Sequence, residues 1–121
     1  MFWITNRIGT CAEAEETPPG AMVIDVRDLN DGREDPQKII PKLTIGLIAV
    51  KRFDIPTIYR CRMGVSRSNA MAAGVIAILD DKDYMDAIGT VCDKVPRAQP
   101  NMEIIDSVHA AVEQLRKVWT L

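Results

Sequence analysis

Two short apolar runs rich in β-branched residues, AMVIDV at 21–26 and IPTIYR at 55–60, constrain this chain most. Runs of that length and composition read as buried strands. Between them lies one polar loop and one helical stretch. After the second comes SNAMAAGVIAILDD, 68–81, whose small apolar residues predict a buried helix. Strands that alternate with helices imply an α/β fold, a mostly parallel sheet flanked by helices and covered on both faces. In such sheets ligands bind beyond the carboxyl ends of the strands. The segment joining strand 55–60 to its helix, CRMGVSRS, therefore sits at the ligand-binding edge.

The rest of the chain fits around this unit. FWIT and RIGT predict two short strands, or one with a bend, and CAEAEE at 11–16 a helical turn. TPPG at 17–20 is a connector. RDLNDGRED at 27–35 reads as an exposed loop. Asp35-Pro36 looks like an N-cap and first helical residue, but Pro41 would cost an internal hydrogen bond. Regular helix is thus expected from near Ile40 to about Arg52. DYMDAIGTVCDKV, 83–95, and MEIIDSVHAAVEQLRKVW at the end show helical spacing, the latter with apolar Met102, Ile105, Val108, Val112, Leu115 and Val118. PRAQPN, 96–101, separates them.

At 121 residues, one domain spanning 1–121 is expected. The net charge of −2 gives no footprint for non-specific nucleic-acid binding, so an anion site must be local. Three cysteines, Cys11, Cys61 and Cys92, form no paired framework and suit a reducing compartment. With one histidine, nothing suggests a zinc site, and neither metal nor cofactor is expected. MFWITNRIGT lacks the pattern of a signal peptide, and the longest apolar stretch is too short for a bilayer. A cytoplasmic monomer is expected.

The chemistry concentrates in Cys61-Arg62-Met63-Gly64-Val65-Ser66-Arg67. A loop that curls before entering a helix turns its backbone N–H groups inward as an anion cradle. The helix adds its positive end, Gly64 permits the turn, and Arg67 can fork onto two phosphate oxygens. The same field lowers the pKa of Cys61. A thiolate beneath a bound phosphoryl group is placed for in-line attack. Taken singly, a cysteine after a strand is usually a small buried hydrophobe, and an arginine at a helix start usually a solvated one. Together they point to phosphoryl transfer through a cysteinyl-phosphate.

Cys-x5-Arg matches the signature loop of the cysteine-dependent protein tyrosine phosphatases. CRMGVSRS resembles the dual-specificity branch, slingshot-type members in particular. ITNRIGTCAEAEE looks like the opening of those domains and DYMDAIGTVCDKVPRAQPN like their late helix and turn, so the likeness spans most of the chain. It is compressed between residues 27 and 40. The resemblance implies a phosphatase that uses Cys61 as nucleophile and Arg67 to stabilise the phosphoryl oxygens. Ser68 would assist departure of the thiolate. Ser66 and the backbone of Arg62, Met63, Gly64 and Val65 would hold phosphate. The family's general acid is an aspartate on a mobile loop, here within RDLNDGRED. Asp31, 30 residues ahead of Cys61 and beside Gly32, is the first choice. Asp28 competes, and Asp35 is better explained as a cap. Gln99 matches a glutamine that helps place water.

One departure is Arg60, where the family has histidine. A cation there can favour the thiolate or misplace the loop. His109 reads as a helix-face residue, Cys92 and Cys11 as structural thiols, and Trp3 and Trp119 as packing residues. The expected substrate is a phosphorylated protein or peptide bearing phosphotyrosine or phosphoserine/threonine. Two other readings stay open: a phosphate-binding pseudophosphatase, and, because Arg60 and Arg62 flank the nucleophile, a phosphoinositide or RNA 5′-phosphatase. Arsenate reductases also carry Cys-x5-Arg, but near their N-terminus.

Overall fold

The computed structural model describes residues 1–119. Four strands, β1 (Phe2–Trp3), β2 (Ile8–Ala12), β3 (Met22–Asp25) and β4 (Thr57–Cys61), form one sheet in the order β1-β2-β4-β3. Both β2 and β3 run parallel to β4, and β1 is antiparallel to β2. The helices are α1 (Pro36–Phe53), α2 (Arg67–Leu79), α3 (Tyr84–Lys94) and α4 (Met102–Arg116). The mostly parallel α/β architecture is the one expected.

Side chains alternate across the sheet. Tyr59, with Thr10 and Ile24 beside it in register, faces the helices. The Tyr59 hydroxyl donates to the Lys42 carbonyl of α1 at 2.7 Å. A side chain at Gly46 would collide with that hydroxyl, so glycine lets α1 close over the ring. The helices with the main strand contacts, α1 and α2, both meet this face. The opposite face carries Gly9, Cys11, Val23, Ile58 and Arg60. Its cover comes in part from Met1 and Trp3, which crowd the position a side chain on Gly9 would take, rather than from a helix as expected. Cys11 and Ile58 are fully buried there, yet stand apart from the helix-packed core.

Helix α2 is buried along Ser68–Ala77, as its small apolar sequence demands. Leu43 and Leu47 of α1, Tyr84, Ala87 and Val91 of α3, and Ile104, Val108 and Val112 of α4 share its core.

Three local expectations are corrected. Cys11 and Ala12 continue β2 instead of starting a helical turn, because Ala12 pairs with Cys61. The Glu15 carboxylate then accepts from the Ala12 N–H at 2.7 Å and turns the chain. Helix α1 starts at Pro36, capped by Asp35, and runs through Pro41. Near the N-terminus the missing N–H removes a single hydrogen bond, and burial of Ile39, Leu43 and Leu47 offsets it. On α4, Ile105, Val108, Val112 and Leu115 are buried, but Met102 and Val118 are 63% and 71% exposed. Met102 stands at the helix start and Val118 beyond its end, outside the inward stripe.

Among the described residues, no helix is long and apolar enough to cross a membrane.

Candidate active site

The carboxyl ends of β2, β3 and β4 lie at one edge of the sheet, and the loop from Cys61 to Arg67 rises from it into α2. A pocket of about 470 Å³ opens there. Cys61, Met63, Val65, Ser66 and Arg67 line it from the loop, Asp31 from one side, and Gln99, Pro100 and Asn101 from another.

Cys61 is 2% exposed, at the floor. Burial alone pushes its pKa up. The Ser68 hydroxyl, the Ser68 and Gly64 backbone N–H groups and the Arg67 charge outweigh burial, so the thiol lies below its ordinary value. Cys61 Sγ and Ser68 Oγ are 3.2 Å apart. The S–H donates across that gap in the thiol form, and the O–H in the thiolate. Arg60 contributes nothing comparable to this shift. Alternation turns it to the opposite face, where its charge helps lower the pKa of Asp25 after Arg27 has done most of that work. Arg60 Nε is buried without a hydrogen-bond partner among the described residues.

The loop geometry is braced from below. Gly64 has φ 69°, in the left-handed region. A Cβ there would come within 2.6 Å of Arg97 Nη2 and 3.0 Å of the Ala12 nitrogen. Asn69 Nδ2 donates to the carbonyls of Gly64 and Val65, both at 2.9 Å. The Gln99 N–H donates to the Val65 carbonyl at 2.9 Å. The Asn101 N–H donates to Ser66 Oγ at 2.9 Å, and Ser66, the α2 N-cap, makes no side-chain cap bond. Arg97 pairs with Glu15 and stacks 5.1 Å above the Phe2 ring. That guanidinium, then the Ala12 N–H, holds the Glu15 carboxyl at about 2.

Sequence reasoning named neither Asn69, Arg97 and Glu15 as loop supports nor Asn101 as a lining residue. Asn69 carried a signal, since an amide in the first turn of an otherwise apolar helix needs partners. Arg97 and Glu15 are 82 residues apart, and their meeting depends on the fold.

The three aspartates are separated clearly. Asp31 lines the pocket. Asp28 points into a neighbouring charged cleft and pairs with Lys42 at 3.1 Å. Asp35 caps α1, accepting from the Gln37 N–H at 2.9 Å. Arg62 lines the same charged cleft as Asp28 and is absent from the lining of the Cys61 pocket. Arg67 Nη1 donates to the carbonyls of Arg27 and Leu29 at 2.7 and 3.1 Å, tying the aspartate loop to the Cys61–Arg67 loop. His109 stacks on Tyr84, ring centroids 5.2 Å apart, on a helix face. Cys92 is exposed on α3 rather than packed as a structural thiol. Trp119 packs against the core, whereas Trp3 is 40% exposed on the outer face of the sheet.

No family model matches the sequence, and no curated protein does. Solved structures do match the fold. Tk-PTP in its active form is 12% identical, with 93% of this chain and 95% of that one covered at a TM-score of 0.71. A mouse protein assigned to the dual specificity phosphatases, complexed with zinc tungstate, is 15% identical over 81% and 73%, TM-score 0.67. Human DUSP28 is 18% identical over 91% and 78%, TM-score 0.66. The chain thus has the fold of the compact dual-specificity and protein tyrosine phosphatases, with Cys61 on the floor of a pocket at the carboxyl edge of its sheet.

Proposed function

We propose that this chain is a metal-independent phosphomonoesterase of one domain that works through a cysteinyl-phosphate. The observation that carries the reading is the pocket itself: a buried thiol of depressed pKa, an arginine and the carboxyl group of Asp31 line one cavity. The substrate phosphate sits on the N–H groups of residues 62–67 and the free donors of Arg67. Cys61 Sγ attacks phosphorus while the ester oxygen leaves, and Asp31 protonates that oxygen. Asp31, now a carboxylate, accepts a proton from water, which attacks the thiophosphate, with Gln99 beside it. Ser68 donates to the departing Cys61 thiolate, and phosphate is released.

Met63, Val65 and Pro100 give the pocket an apolar wall suited to the aryl or alkyl part of a phosphotyrosine, phosphoserine or phosphothreonine. We read the substrate as a phosphorylated protein or peptide met by a monomer in a reducing, cytoplasmic compartment, where all three cysteines stay free. The placement of Arg60 and Arg62 away from the pocket speaks against a polyanionic lipid or RNA end. A binder without turnover differs in one respect, since it forms no covalent intermediate.

Hydrolysis of para-nitrophenyl phosphate in the presence of chelator tests the reading. Wild type should turn over, and Cys61→Ser should lose all measurable activity. Activity that survives in Cys61→Ser, or vanishes with chelator, overturns it.

A further inference from the structure

A sequence with Gly32 inside its aspartate loop reads as one whose acid swings. The loop observed here is instead held on either side of Asp31 by several hydrogen bonds. Within it, Glu34 accepts from the N–H groups of Asn30 and Asp35, at 2.7 and 2.8 Å, and Asn30 Oδ1 from that of Gly32 at 2.9 Å. From outside, the first two turns of α4 hold it. Glu103 Oε2 accepts from the Arg33 N–H at 3.1 Å, and Ser107 Oγ from the Glu34 N–H at 2.9 Å. The Ser107 hydroxyl proton goes to the Glu103 carbonyl at 2.9 Å, which aims its lone pairs at Glu34.

The same stretch of chain holds the phosphate loop, through Gln99 to Val65 and Asn101 to Ser66. Asn101 also caps α4 by accepting from the Glu103 N–H at 2.9 Å. Residues 99–107 therefore touch both halves of the pocket, the nucleophile's loop through backbone N–H donors and the acid's loop through side-chain acceptors. We propose that Glu103, supported by Ser107, is a positioning residue that sets Asp31 against Cys61 and keeps the acid loop in place through turnover. This rests on the phosphatase reading above.

Loss of a general acid hurts esters of poor leaving groups far more than those of good ones, because only the former need a proton to depart. Rates for phenyl phosphate and for para-nitrophenyl phosphate are therefore compared in wild type, Asp31→Asn, Glu103→Ala and Glu103→Gln. Glu103→Ala should slow phenyl phosphate by about tenfold, a part of the general-acid contribution, with a much smaller change for the nitrophenyl ester. Glu103→Gln, whose amide oxygen still accepts from Arg33, should restore the wild-type ratio. Hydrogen exchange at Arg33 and Glu34 should quicken in Glu103→Ala and not in Glu103→Gln. Equal slowing of both esters, no slowing, or unchanged exchange overturns the inference while Cys61-dependent turnover stands. Absence of wild-type turnover overturns the phosphatase reading and the inference with it.

Discussion

A thiol sealed beneath a loop resists ionisation, and Cys61 is held below the ordinary thiol value only because several donors converge on its sulfur. Ser68 leads them, followed by two backbone N–H groups and the Arg67 charge. Removing the hydroxyl should therefore move the titration upward. In Ser68→Ala, alkylation of Cys61 by iodoacetamide should be several-fold slower than in wild type near pH 6. The two rates should converge only at alkaline pH, once the thiol is ionised in both proteins. Equal rates across the range would show that Ser68 does not set the thiolate. Cys61, Arg67 and Ser68 were legible in the sequence because one continuous strand, loop and helix places all three. Asp31 was separable from Asp28 only in three dimensions, where Lys42 draws Asp28 aside and Leu29, 3% exposed, anchors the loop between them. Of the two roles open to Arg60, support of the thiolate is disfavoured because neighbouring residues on a strand face opposite ways, which turns Arg60 toward Asp25.

At the scale of elements, strands and helices with strong apolar patterns were read correctly, and the errors fall where one local preference met a tertiary demand. Pro41 argued for a late start to α1, yet the Asp35 cap and the buried Ile39 carry the helix through it. The proline should then be a residual cost. Pro41→Ala restores an N–H for the helix and removes a ring clash, against a gain in unfolded-chain entropy. It should raise stability by about 1–2 kcal/mol in urea unfolding, less than the full difference in helix preference between the two residues. A loss of stability would mean that the ring packs in a way helix energetics does not describe. CAEAEE misled in the other direction. Its alanines and glutamates favour helix, but pairing with β4 extends β2 to Ala12, and Glu15 becomes a brace for the ground beneath Gly64.

Across the whole molecule, the parallel strands bring Ala12, Asp25 and Cys61 to one edge, and loops that leave that edge line the pocket. Helix α4 then returns from the far end of the chain to grip both walls of the pocket. The sequence alone could place the Cys61–Arg67 loop at the sheet edge, but not its distance from Asp31, which depends on contacts between residues some 70 positions apart. The central claim is that phosphorus is transferred to Cys61 before it reaches water. Rapid-quench peptide mass spectrometry of Asp31→Asn with para-nitrophenyl phosphate tests this most directly. That variant keeps the nucleophile and a leaving group that needs no acid, but lacks the base for the second step. The account predicts a phosphoryl group accumulating on the peptide that contains Cys61. Turnover with no phosphoryl group on that peptide, or with the group on another residue, would contradict it.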